Sequence, residues 1–203
     1  MTGLPAMLGL AADVAEPAQC EMLVDRVAAA FGRLDIMHCS ASIDRPQPAD
    51  QVDRASLEQV LAVNVGGYLF SAQAAARQMR RQGIGGAIVM TSSTASLVAF
   101  PGILSYCISK GGVDLMVKTL AAEWAEHGIR VNAFNPGYME HAMTGTEAYD
   151  QDPDVAEQAI QQTPMRRRGR VEELVGPAIF LASDAASFMT GVVMPVDGGW
   201  CAI

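Results

Sequence analysis

Five short apolar runs alternate along the chain with stretches whose apolar residues recur at helical spacing, and this alternation limits the fold more than any other feature. The runs are Met7 to Ala12, Leu34 to Cys39, Ala87 to Thr91, Ile129 to Phe134 and Gly191 to Val196. Apolar runs of that length suit strands buried on both faces, as in a parallel sheet covered by helices. After the first run, Pro17 sits where a helix begins. Cys20, Leu23, Val24, Val27, Ala28 and Phe31 then follow on one stripe, and Gly32 closes it. Ser56-Leu57-Glu58-Gln59 reads as a capping box opening a long helix to about Arg81, with Gly66-Gly67 inside it. Val113, Met116, Val117, Leu120 and Trp124 line one face of a helix from Tyr106 to His127, which Gly128 ends. An irregular stretch is expected from Asn135, then a helix from about Val171 to Ala182. With no repeats and no linker, residues 1–203 are expected to form a single α/β domain, a doubly wound parallel sheet.

Composition narrows the class of function. The chain has 203 residues, half of them hydrophobic and 18% charged, which excludes intrinsic disorder. A net charge of −8 argues against nucleic acid as a partner, since phosphate binding needs a dense basic surface. Arg166-Arg167-Arg168-Gly169-Arg170 is the local exception, read as a solvated face with an anion clamp as the alternative. Gln82 to Ser109 carries no charge, yet its four Gly, one Pro and seven Ser or Thr break it into strand, loop and helix start rather than a membrane span. The N-terminus shows no signal-peptide pattern. Four cysteines without metal spacing read as reduced thiols, so no metal site and a cytoplasmic location are expected.

Chemistry is concentrated in Tyr106-Cys107-Ile108-Ser109-Lys110. A spacing of four puts the tyrosine and lysine on one helix face, about one turn apart. An ammonium beside a phenol favours the phenolate and lowers a pKa that starts near 10, which makes the tyrosine a usable general acid or base. With four Tyr and two Lys in the chain, an accidental match has a chance of roughly 4%, and the alternative is an ordinary surface pair. Ser93 follows the third strand, at the carboxyl end where parallel sheets bind ligands, and its hydroxyl can orient a reacting oxygen. Asn64 is a polar residue among apolar ones inside a helix, either a packing amide or part of the site.

Asn64, Ser93, Tyr106 and Lys110 resemble the catalytic tetrad of the classical short-chain dehydrogenases/reductases. The likeness extends through Asp13-Val14, Leu34-Asp35-Ile36, Arg130-Val131-Asn132-Ala133, Asn135-Pro136-Gly137, Phe180 to Asp184 and Val196-Asp197-Gly198-Gly199, in order along nearly the whole chain. The resemblance implies a Rossmann-like fold and hydride transfer between NAD or NADP and a secondary alcohol or ketone. It implies that Tyr106 exchanges the proton, Lys110 lowers its pKa and holds the nicotinamide ribose, Ser93 orients the substrate oxygen, and Asn64 positions a water in the proton relay. Asp13 and Val14 would face the adenine, Ser40 and Ala41 would line the cofactor groove, and Pro136, Gly137 and Met139 would hold the nicotinamide end. Family members pack the Asn64 and Tyr106 helices against their copies, which implies a homodimer or homotetramer.

The sequence also departs from that family. Its opening Gly-rich turn, where small residues bring backbone N–H groups to the pyrophosphate, is absent, and with it a whole βαβ unit and the residue selecting NAD or NADP. Three readings are open: a working enzyme that starts earlier, a truncated paralogue serving only as an oligomer subunit without dinucleotide, or a sheet re-closed by Met7 to Ala12 pairing with Leu34 to Cys39. Ser42 and Ser96 stand where the family has glycines, so the groove is expected to be tighter. His141 reads as a loop residue and Cys107 as packing. Tyr138 to Pro164 is expected to form a substrate lid, with Met139, Met143, Tyr149 and Met165 beside Leu97 and Phe100 as candidate pocket-liners for a small alicyclic or aliphatic substrate.

Overall fold

A computed structural model describes residues 7–140 and 153–203. Helix α1 (Pro17–Phe31) leads into strand β1 (Ile36–Cys39). Helices α2 (Arg54–Leu61) and α3 (Gly67–Gln82) are joined by a π-helical segment, Ala62–Gly66, so the predicted long helix is continuous but locally widened. Strand β2 (Gly86–Thr91), helix α4 (Leu104–Trp124) and strand β3 (Ile129–Pro136) follow. Helix α5 (Pro153–Gln162), helix α6 (Val175–Ala182) and strand β4 (Val193–Val196) complete the described elements. The described strands pair in parallel in the order β1-β2-β3-β4, with Ile36 opposite Ala87, Gly86 opposite Ile129 and Ala133 opposite Val193.

Alternation along the strands sends side chains to two cores. Ile88, Met90, Val131 and Ala133 pack with Val24, Tyr68, Ala72, Met79, Val113 and Val117 of α1, α3 and α4. Val89 and Phe134 face the other way, onto Leu181 of α6. This is the expected Rossmann-like arrangement, a parallel sheet with helices on both faces.

Four local expectations are corrected. Residues 7–12 form no strand, and Met7 is 97% exposed. They do not pair with β1, whose outer edge stays open with Ile36 49% exposed, so the re-closed sheet is excluded for the described chain. The cap of α2 is Asp53 rather than Ser56: the Asp53 carboxylate accepts from the Ser56 backbone N–H at 2.9 Å and from its hydroxyl at 2.8 Å. Within the stretch read as irregular lies α5, whose Ala159 is buried. The Val171 start is a 3₁₀ turn, Val171–Leu174, ahead of the α-helix proper. Gly67 has a packing reason, since a Cβ there would lie 2.7 Å from the Val14 side chain.

Candidate active site

The carboxyl ends of β1, β2 and β3 place the loops that carry the predicted residues on one side of the sheet, while α4 brings Tyr106 and Lys110 beneath them. Lys110 is almost fully buried, as are Asn64 and Ser109. The Lys110 ammonium donates to the Thr91 backbone oxygen at 2.9 Å and lies 5.4 Å from the centre of the Tyr106 ring. Tyr106 and Lys110 therefore meet on one helix face, as their spacing predicts.

Their acid–base balance differs from expectation. Burial pushes the Tyr106 phenol up to about 12. The Ser93 hydroxyl pulls against that rise, the Asp44 carboxylate adds to it, and the Ser42 hydroxyl again pulls against it. Burial likewise pulls the Lys110 amine down to about 7, with the Asp114 charge opposing the fall. The lysine does not bring the phenol below its ordinary value in this geometry, because desolvation disfavours both charges together. Near neutral pH the phenol carries its proton. Strong displacement of two adjacent groups in opposite directions is the pattern that marks a reacting centre.

Ser42 has gained a place at the site. In the sequence it signals only crowding, but its hydroxyl lies beside the Tyr106 phenol, buried and without a hydrogen-bond partner of ordinary geometry. Ser93 caps the short turn that follows β2, accepting from the Ala95 N–H at 3.1 Å, which holds it facing the phenol.

Asn64 sits in the π segment, where one extra residue in the turn swings its side chain out of the regular helical ladder. Its amide accepts from the Ile43 N–H at 2.8 Å and donates to the Ile43 oxygen at 2.9 Å and the Ser109 hydroxyl at 3.0 Å. Both amide hydrogens are thus spent on protein atoms, and the side chain fastens the loop after β1 to the Tyr106 helix. A buried network missed by sequence reasoning ties the remaining loops. Asp114 accepts from Ser92 Oγ at 2.5 Å, from Ser96 Oγ, and from Asn135 Nδ2 at 3.2 Å. Asn135 also donates to the Ser93 backbone oxygen at 2.9 Å. A charge on the apolar stripe of α4, four residues after Lys110, was the signal available.

The predicted cofactor residues divide. Val14, Ser40 and Ala41 line one cleft of about 140 Å³ with Cys39, Tyr68 and Ser71, at the carboxyl end of β1. Asp13 flanks it, its carboxylate engaged by the Ala15 N–H at 2.9 Å. That cleft fits a flat apolar group against Val14, with Ser40 as a polar contact. Gly137 lies against Asp197, which a Cβ there would meet at 2.7 Å, and Met139 is buried against Gly169. Pro136 ends β3 beside Val196. His141, Met143 and Tyr149 fall outside the described residues. The arginine run is partly neutralised, since Arg167 forms a two-pronged pair with Glu173 at 2.7 and 2.8 Å and Arg168 stacks over Tyr138. No described helix is long and apolar enough to cross a membrane.

Known proteins share this architecture. A family model described as enoyl-(acyl carrier protein) reductase matches residues 2–201. The chain is 37% identical over 198 residues to the 2-dehydro-3-deoxy-D-gluconate 5-dehydrogenase of Dickeya dadantii, covering 96% of this chain and 76% of that one. It is 40% identical over 174 residues to the galactitol 2-dehydrogenase (L-tagatose-forming) of Cereibacter sphaeroides, covering 85% and 68%. A crystal structure of a gluconate 5-dehydrogenase from Burkholderia cenocepacia, in complex with NADP and tartrate, superposes with a TM-score of 0.90 at 37% identity, over 95% of this chain and 74% of that one. The tyrosine–lysine pair under a parallel sheet and these likenesses agree: the chain belongs to the short-chain dehydrogenases/reductases, NAD(P)-dependent oxidoreductases that act on CH–OH groups.

Proposed function

We propose that the chain interconverts a secondary alcohol and a ketone on a small polyhydroxylated substrate, of the sugar-acid or sugar-alcohol kind on which its relatives are named to act. The observation that carries the reading is the half-buried Tyr106 phenol, held among Ser93, Ser42 and Lys110 at the carboxyl ends of the strands. Ser93 and Ser42 are the hydroxyls that hold the substrate oxygen beside the phenol. In the reducing direction Tyr106 gives its proton to that oxygen as it gains negative charge. In the oxidising direction the phenolate takes the proton back, which higher pH favours. Lys110 steadies the phenolate, and Asn64 and Asp114 hold the loops so that these groups stay within reach of one another.

NAD or NADP bound across the groove supplies or accepts the hydride. Val14, Ser40 and Ala41 would hold its adenosine side, with Asp13 alongside. Tyr106, Lys110 and the turn of Pro136, Gly137 and Met139 would hold the ribose and nicotinamide side. The chain is read as a homodimer or homotetramer. Leu104, Ile108 and Leu115 support that reading, as exposed apolar residues on the outer side of α4. Free thiols at Cys20, Cys39, Cys107 and Cys201 support a reducing, cytoplasmic compartment.

Tyr106→Phe tests the mechanism, because it keeps the ring and removes only the hydroxyl with its transferable proton. Turnover of a sugar-acid or alditol substrate is expected to fall on the order of 10²–10⁴-fold with the fold intact. Turnover within threefold of the parent would remove Tyr106 from the chemistry.

A further inference from the structure

Lys110 does not meet Tyr106 alone. A second phenol, Tyr68 at the start of α3, is 1% exposed and lies against the same ammonium. The Lys110 nitrogen lies 5.0 Å from the centre of the Tyr68 ring and 3.5 Å from its hydroxyl oxygen. The Tyr68 hydroxyl donates to the Thr91 backbone oxygen at 2.9 Å, the same oxygen that accepts from Lys110. The three groups close a triangle in which the tyrosine proton is committed to the carbonyl. Its oxygen lone pairs therefore turn toward the ammonium.

Such an arrangement has a physical purpose that packing does not supply. A phenylalanine would fill the same space in the core. A buried amine without acceptors gives up its charge, and burial here already pulls Lys110 far below its ordinary range. Two of the three ammonium hydrogens have acceptors, Thr91 O and the Tyr68 hydroxyl, and two ring faces flank it. Asp114 on the same helix adds attraction, but its oxygens accept from Ser92, Ser96 and Asn135. We propose that Tyr68 is the positioning residue of the active-site lysine: its hydroxyl and ring keep the buried Lys110 ammonium charged and aimed past Thr91 toward Tyr106. This rests on the reading of Lys110 as a member of the catalytic set.

Other titratable groups around the pair are few. Tyr106 and Asp114 face it from α4, the buried Cys39 thiol acts on Tyr68 from β1, and Asp44 acts on Tyr106 from the loop after β1. From β2 the contact is the uncharged Thr91 carbonyl.

The chain has two lysines, Lys110 and the exposed Lys118, so the titration of each is directly readable by NMR after ¹³C labelling of lysine side chains. In Tyr68→Phe, which keeps the ring and its volume, the Lys110 midpoint is expected to fall by about one pH unit, a tenfold loss of proton affinity, with Lys118 unmoved as the internal control. Tyr68→Leu, which also removes the ring, is expected to lower it further. The alkaline limb of kcat should move down with the Lys110 midpoint while KM changes little. A Lys110 midpoint equal to the parent's in folded Tyr68→Phe overturns the proposal. A lowered midpoint supports it even if Lys110→Met were to retain full turnover, a result that would instead overturn the catalytic reading of the lysine.

Discussion

Replacing Asp114 tests whether the loops around the site are held by the buried network that α4 carries. The carboxylate is 8% exposed and accepts from Ser92, Ser96 and Asn135. In Asp114→Ala all three bonds are lost, but each donor keeps a second acceptor. Ser92 Oγ has the Lys110 oxygen at 3.4 Å, Ser96 Oγ has the Ser93 oxygen at 2.7 Å, and Asn135 Nδ2 has that same oxygen at 2.9 Å. No donor is orphaned, so the penalty for buried unsatisfied groups is largely avoided. The loss is then the net worth of three hydrogen bonds to a carboxylate, about 1.5 kcal/mol each at the low end and about 4.5 kcal/mol in all. Asp114→Asn keeps one acceptor oxygen and turns an N–H₂ toward the other donors, so about half that loss is expected. Urea denaturation reads both values, and a lower midpoint at unchanged slope marks a change in stability alone. A loss below 1 kcal/mol for the alanine variant, or equal losses for both variants, would refute the accounting.

Two further outcomes follow from the same geometry. Lys110 titrates near 7 in the folded chain and at 10.5 when unfolded, so between those values the unfolded state binds more protons. Stability should rise from pH 7 to about 9, beyond which the raised pKa values of Cys39, Cys201 and Tyr106 act in the opposite sense. Urea midpoints at pH 7 and 9 check this, and Lys110→Met should abolish the rise. Leu115 is 66% exposed on α4, so Leu115→Arg should shift the sedimenting species toward monomer if that face joins copies of the chain, and an unchanged mass would exclude the face.

Much of this protein is written in local pattern. Apolar runs of strand length, helical stripes and the glycines at helix ends act over a few residues, so β1, β2, β3, β4, α1, α4 and the pairing of Tyr106 with Lys110 were all legible. The exceptions have one cause. Met7 to Ala12 is apolar enough for a strand, but an apolar run becomes one only when it docks on a neighbouring edge, and the open edge of β1 does not receive it. The roles of Tyr68, Asp114, Asn135 and Ser42 at the site escaped notice, because each acts on a partner at least 18 residues away.

Sequence alone determined most of the strands and helices and which helix carries the proton-transfer pair, since periodicity and spacing are properties of a single segment. Only the tertiary structure decided the charge states at the site. The same burial that brings Tyr106 and Lys110 together raises the pKa of one and lowers that of the other, and desolvation belongs to the packed assembly rather than to any stretch of chain.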